Sequence, residues 1–196
     1  SSDVCSSDLE IDFMGFFLFV GAVITTVLAI IINSYNDLVK YRNRYRNAYA
    51  QINVQLQRRY DLIPNLVETA KGCMKYEKET LEAIISARNS AITISSNAAK
   101  NPGDSKKMKQ LSSAEAALNN ALNRLIGITE SYPELKADRA MNKVMEELSS
   151  TENRIAFARQ AFNDAVTVYN TKREAFPGNL VADGSNFTPA YLLEGF

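Results

Sequence analysis

Histidine does not occur in this 196-residue chain. Its absence removes the commonest general base, the Ser-His triad and the commonest zinc ligand. It also removes the Glu-x-x-His pairs on which di-iron bundles depend. The two cysteines, Cys5 and Cys73, form neither a CxxC nor a ligand-spaced cluster, so no disulfide framework is expected. Cys5 precedes the apolar run described below instead of following one, which is not a lipoprotein context. Tryptophan is absent, and 8 glycines and 5 prolines are few enough to suit long helices. Neither charge sign dominates. Lys+Arg and Asp+Glu stand at 22 each, so charge gives no general reason to expect a nucleic-acid partner. The phosphate-binding GxxxxGK(S/T) and GxGxxG patterns are missing as well. The chain is read as a non-enzyme, with no cofactor and no metal.

Long apolar sequence is present in one place. Residues Phe13 to Ile32 read FMGFFLFVGAVITTVLAIII, 20 residues without a charge. As a helix they span ~30 Å, the thickness of a bilayer core. A core helix of a soluble protein needs a polar face, and this segment offers only Thr25 and Thr26. It is too long for a signal-peptide apolar region, and no small-residue cleavage pattern follows it. Residues 13–32 are therefore expected to form a transmembrane helix, anchored through Phe13, Phe16, Phe17, Phe19, Ile24, Leu28 and Ile31. Asp3, Asp8, Glu10 and Asp12 precede the run, while Lys40, Arg42, Arg44 and Arg46 follow it. Basic residues stay on the cytoplasmic side. This places the N-terminus outside and the main domain in the cytoplasm, on the inner (cytoplasmic) membrane. Residues 1–12 repeat Ser-Ser-Asp without helical or strand period and are read as a foreign segment, with Met14 a candidate initiator.

From Asn33 onward the apolar period is helical. Leu38, Tyr41, Tyr45, Ala48, Ile52 and Leu56 recur at steps of three and four. This helix should continue the membrane segment and end near Arg59. A second helix is expected from about Ile63 to Ala99, with Asp61 as N-cap and Pro64 in its first turn. Leu66, Cys73, Tyr76, Leu81, Ile84 and Ala91 line one side of it, and Gly72 weakens its middle. Asn101-Pro102-Gly103-Asp104 reads as a loop. Leu111, Ala114, Leu118, Ala121, Leu125 and Ile128 form a heptad stripe on a third helix stopping near Ser131. Met141, Val144, Leu148, Thr151, Ile155, Ala158, Phe162, Ala165 and Tyr169 do the same on a fourth. Phe176-Pro177-Gly178 ends it, leaving residues 177–196 as a tail with exposed aromatics Phe187, Tyr191 and Phe196. The expected fold is all-α: a single N-terminal transmembrane helix, then an antiparallel up-and-down four-helix bundle with long helices over residues 33–176.

Two polar groupings stand out. Lys40, Tyr41, Arg42, Arg44, Tyr45 and Arg46 mix basic and aromatic residues, the side chains that stack on and neutralise nucleic acid. Eight residues beyond a membrane segment, they fit head-group anchoring better. The second grouping is Arg58, Arg59, Asp61 and Asn65 with Arg159 and Asn163, an expected polar network or partner contact. Arg–carboxylate pairs and Asn bridges of this kind usually fix helix register. The functional alternative is a small anionic ligand held by Arg59 and Arg159.

Tyr35 to Gly72 reads YNDLVKYRNRYRNAYAQINVQLQRRYDLIPNLVETAKG, and Thr151 to Ala182 reads TENRIAFARQAFNDAVTVYNTKREAFPGNLVA. Both stretches resemble the signature of the LemA family, as do Glu79-Thr80-Leu81-Glu82, Ala87-Arg88 and Glu130 to Lys136. The similarity covers about Met14 to Phe187. Tyr49 stands where the family usually has Trp, and Gln57 where Lys is common. The resemblance implies one N-terminal anchor, a short outside N-terminus and a cytoplasmic helical bundle. It implies no catalytic residues. Relatives linked to membrane quality control and membrane-organelle formation imply a scaffold or adaptor. Its partners would be the lipid bilayer and a membrane protein or further copies of the chain, not nucleic acid or metal. The alternative is lipid binding or membrane remodelling through the juxtamembrane Tyr/Arg helix.

Overall fold

A computed structural model describes residues 3–74 and 77–196, with side chains from residue 15 onward, Cys73 excepted. Tyr76 and the side chains of Cys5, Phe13 and Cys73 lie outside the described residues. Among the described residues six helices follow in order: α1 Asp3–Cys73, α2 Lys78–Ala99, α3 Ser105–Thr129, α4 Pro133–Ala137, α5 Arg139–Glu174 and α6 Gly178–Gly184. Among them there is no strand. The all-helical class thus follows the 3.6-residue apolar period that runs through nearly the whole sequence.

The helix break expected near Arg59 is not there. α1 runs unbroken from Asp3 to Cys73 with Pro64 inside it, and the next helix begins at Lys78. Asp61 is accordingly no cap; it is an exposed mid-helix residue accepting a bond from Gln57 Nε2 at 2.9 Å. Proline lacks the amide hydrogen that would bond the carbonyl four residues earlier, and the orphaned carbonyl normally bends or ends a helix. Here that carbonyl belongs to Tyr60, and Arg88 Nε of α2 donates to it at 2.6 Å. A guanidinium from a second helix supplies the donor that Pro64 lacks. Gly72 then falls in the last turn of α1, where its cost to the helix is small.

This arrangement predicts a specific coupling. Arg88→Met should cost about 1–2 kcal/mol by leaving the Tyr60 carbonyl unpaired. In a Pro64→Ala background, the new backbone amide can bond that carbonyl itself, and the same substitution should cost much less. Urea unfolding of the four proteins in the cycle tests this; additive losses would show that Arg88 has another role.

The described residues divide into two units. The first holds the N-terminal helix through Lys40 together with Thr171–Thr188. Its apolar stretch is the one helical stretch among the described residues long and apolar enough to cross a membrane. Phe16, Phe17, Phe19, Ile24, Leu28 and Ile31 are all exposed there. Thr25 and Thr26 turn their hydroxyls back onto the carbonyls of Gly21 and Ala22, so the segment's polar side chains are satisfied within the helix. Beyond it, Leu38, Val181, Ala182 and Phe187 are buried, and the ring of Tyr35 meets that of Phe187 edge-on at 5.5 Å.

The second unit comprises Tyr41–Asn170 with Pro189–Phe196. Its core is built from the apolar stripes of α1, α2, α3 and α5. Ile52, Leu56, Ile63 and Leu66 are fully buried on α1, Ile84 and Ala91 on α2, Leu111, Leu118 and Leu125 on α3, and Phe162 on α5. Asp104 caps α3, accepting from the Lys107 amide at 2.9 Å. Tyr45 is part of this core, against Tyr169 at 5.1 Å and Phe162 at 6.3 Å. It is therefore not available to lipid head groups as expected from its place in the basic-aromatic run. It lies on the apolar stripe of α1, seven residues from Leu38 and from Ile52, and the stripe decides its direction.

Candidate polar site and tail clamp

The polar residues singled out in the sequence separate into a buried cluster, a clamp on the C-terminal segment, and a solvated remainder. Arg58, Asp61 and Asn65 belong to the remainder and are exposed. Lys40, Arg44 and Arg46 are exposed too, with Tyr41 and Arg42 half-buried.

Arg59 is buried, and it faces Glu115 on α3, which has no exposure at all. Arg59 Nη1 lies 3.3 Å from Glu115 Oε2. Arg59 Nη2 donates to Asn119 Oδ1, and the Tyr60 hydroxyl donates to Glu115 Oε1. Neighbouring residues 59 and 60 thus satisfy both carboxylate oxygens, and Asn119 takes up a further guanidinium N–H. Such full satisfaction is what allows an ion pair to persist in a core. Burial pushes the Glu115 carboxyl above its ordinary range, against the opposing pull of the Tyr60 bond and Arg59. Burial, then the Glu115 charge, pushes the Tyr60 hydroxyl well above the usual tyrosine range. Tyr60 therefore stays a neutral donor. Tyr49, where the family resemblance suggests Trp, is raised for the same two reasons; its buried hydroxyl has no hydrogen-bond partner among the described residues.

Glu115 has a sequence signal that local reading passes over. It lies four residues after Leu111 and three before Leu118, on the buried face of α3 with Leu122. A charged residue inside an apolar stripe calls for a buried partner, and Arg59 is that partner.

The second constellation overturns the expectation of a free tail. Phe187, Ala190 and Leu193 are buried, although Tyr191 is exposed as expected. Asn163 on α5 donates from Nδ2 to the Leu193 carbonyl at 3.0 Å and accepts from the Leu193 amide at 2.9 Å. Asn170 repeats the pattern on Ala190, at 2.7 and 3.0 Å. The two asparagines are seven residues apart on a helix, about 10.5 Å. Three residues of extended chain cover about 10 Å, so successive heptad positions of α5 match Ala190 and Leu193. The Tyr191 amide also donates to the Gly103 carbonyl at 2.8 Å. Gly103 has a positive φ of 85° and a Cβ there would meet Ala190 at 3.0 Å; no other residue type fits this turn without strain. Arg159 does not join Arg59: its guanidinium lies over the Phe196 ring, 5.3 Å from the centroid.

Between these constellations lies a cavity of about 460 Å³, lined by Arg59, Asn119, Asn123, Ser149, Glu152 and Phe196 among others. Its one guanidinium is already committed to Glu115 and Asn119. Among the described residues no group of three or more His, Cys, Asp or Glu is placed to hold a metal ion.

The chain is similar in sequence to several known proteins. The chain is 28% identical over 176 residues to magnetosome protein MamQ of Magnetospirillum gryphiswaldense, covering 82% of this chain and 63% of that protein. It is 25% identical over 186 residues to magnetosome protein MamQ 2 of Paramagnetospirillum magneticum, covering 87% and 68%. It is 27% identical over 147 residues to protein LemA of Metamycoplasma hominis, covering 75% and 63%. The chain thus spans a little under two thirds of the first and last of these relatives. The LemA family model matches residues 48–195, a span holding both the Arg59–Glu115 cluster and the clamped C-terminal segment, and on that match the chain belongs to the LemA family.

Proposed function

We propose that this chain is a membrane-anchored scaffold or adaptor of the LemA type. Residues 13–32 would be the anchor, residues 33–176 a cytoplasmic helical domain, and residues 177–196 a C-terminal segment folded onto it. The domain would present its surface to membrane-protein partners or to copies of itself, and the N-terminus would lie outside. The carrying observation is the fate of the polar residues. Arg59, Tyr60, Glu115 and Asn119 satisfy one another, and Asn163 and Asn170 are used by the chain's own backbone. Residues consumed in this way support a framework more readily than a reaction centre. Tyr45 meets Tyr169, while Tyr49, later on α1, meets Phe162, earlier on α5. That order supports an antiparallel bundle.

Crosslinking of the full-length protein in membranes, followed by mass spectrometry, tests the reading. A specific membrane protein, or a ladder of multimers, is the expected product; the monomer alone under saturating crosslinker would sink the scaffold role. A tag at Phe196 should survive protease added to intact cells, and its cleavage would reverse the orientation. The alternative, membrane remodelling through residues 40–46, loses one of its aromatic contacts because Tyr45 is in the core.

A further inference from the structure

We infer that the corner between α5 and α6 is a second contact with the bilayer, made by Phe176 and Leu180 at the level of the head groups. The inference rests on the membrane-anchored reading above and adds to it.

Phe176 is 80% exposed and Leu180 66% exposed. Among the described residues they are two of the more exposed large apolar side chains, Phe176 in the turn before α6 and Leu180 within it. The opposite side of α6 is spent on packing, with Gly178, Val181 and Ala182 buried. The corner is held firmly in place. A Cβ on Gly178 would collide with the Lys172 carbonyl, so α6 begins tight against the last turn of α5. Arg173 Nε donates to the Phe187 carbonyl at 2.7 Å, and Arg173 Nη2 reaches Asp183 at 3.6 Å.

The position of this corner comes from Tyr35. Its ring packs on Phe187, the residue just beyond α6, at 5.5 Å. Tyr35 is three residues past Ile32, the last residue of the apolar run, or about 4.5 Å along the helix. The head-group layer extends roughly 5–8 Å beyond the hydrocarbon on each side. The chain just beyond α6, at Phe187, is therefore tied to the membrane helix within the head-group layer, and Phe176 and Leu180 are inferred to lie at that same level. Aromatic and aliphatic side chains standing free at that depth bury themselves in the boundary with the acyl chains.

Charge does not drive the contact. Lys40, Lys172 and Arg173 in this unit are offset by Asp37, Glu174 and Asp183. Apolar contact continuous with the anchor is what remains, so the contact should form on zwitterionic lipid and be insensitive to salt.

Because the chain has no tryptophan, single introduced tryptophans report on this directly. The full chain would be reconstituted in phosphatidylcholine vesicles carrying bromine on the acyl chains near the head groups or near the bilayer centre. Three variants are compared: Leu28→Trp in the apolar run, Phe176→Trp at the corner, and Phe157→Trp at an exposed position of α5. Leu28→Trp should be quenched by lipid bromine, and Phe176→Trp by the shallow bromine in preference to the deep one, with blue-shifted emission at low and high salt alike. Phe157→Trp should be unquenched. Emission from Phe176→Trp as red and unquenched as from Phe157→Trp, with Leu28→Trp quenched, overturns the corner contact and leaves the anchor standing. Equal quenching of Phe157→Trp and Phe176→Trp overturns it also, because the contact would then not be particular to the corner. An unquenched Leu28→Trp overturns the anchor and the corner contact with it.

Discussion

Glu115→Ala should be among the most damaging single substitutions in the folded domain. It removes the acceptor for two buried donors, Arg59 Nη1 and the Tyr60 hydroxyl, at a site with no exposure. Breaking a buried ion pair from one side costs about 3–5 kcal/mol. For a chain of this size that is a fall in Tm of roughly 6–20 °C. Replacing both partners, as in Arg59→Met with Glu115→Leu, should recover most of the loss, since no charge is then left buried. A double variant as unstable as Glu115→Ala would refute the pairing as the cause.

The same residue sets a pH dependence. The folded state raises the Glu115 carboxyl above its ordinary value of 4.5. Folding then favours the protonated form relative to the unfolded chain. The stability this group contributes is complete below the unfolded value and is lost as pH rises through the elevated folded value. Glu115→Gln carries no titrating proton and should flatten that part of the profile. Parallel profiles for wild type and Glu115→Gln above pH 4.5 would contradict the assignment.

The second large effect concerns the C-terminal segment. Asn163→Ala with Asn170→Ala deletes four hydrogen bonds to the Ala190 and Leu193 backbone. At about 0.5–1.5 kcal/mol each the loss is about 2–6 kcal/mol, concentrated on one segment. Local opening should precede global unfolding. Hydrogen exchange should show the amides of residues 190–193 losing protection while those of Leu111 to Leu125 keep theirs. Unchanged protection at Leu193 would show that burial of Ala190 and Leu193, not the asparagines, holds the segment.

The helical stripes are legible in the sequence because burial repeats them. Leu111, Leu118 and Leu125 on α3, and Leu148, Ile155 and Phe162 on α5, are buried positions the heptad spacing picks out; Ala121 and Ile128, also expected in the α3 stripe, are half-buried, and Glu115 and Leu122 are buried instead. Local rules fail where a distant residue intervenes. Pro64 looks like a helix start until Arg88 is placed beside Tyr60. The tail looks loose because the partners of Ala190 and Leu193 are side chains 20 and 30 residues earlier in the chain. Arg59 stands out in a basic and polar stretch, but Glu115 does not, since a lone carboxylate in a stripe has no local partner to announce it. Arg58, Asp61 and Asn65 share Arg59's stretch of sequence but not its face of the helix.

The bond from Arg88 to the Tyr60 carbonyl also bears on the order in which the domain assembles. Pro64 leaves the ribosome before Arg88, and until α2 folds back nothing fills the gap in the backbone ladder of α1. The nascent segment should therefore behave as the sequence alone suggests, as two helices meeting near residues 60–64. On this view the single long helix is completed only when the guanidinium reaches the Tyr60 carbonyl, and a fragment ending before α2 is expected to bend or fray near Pro64.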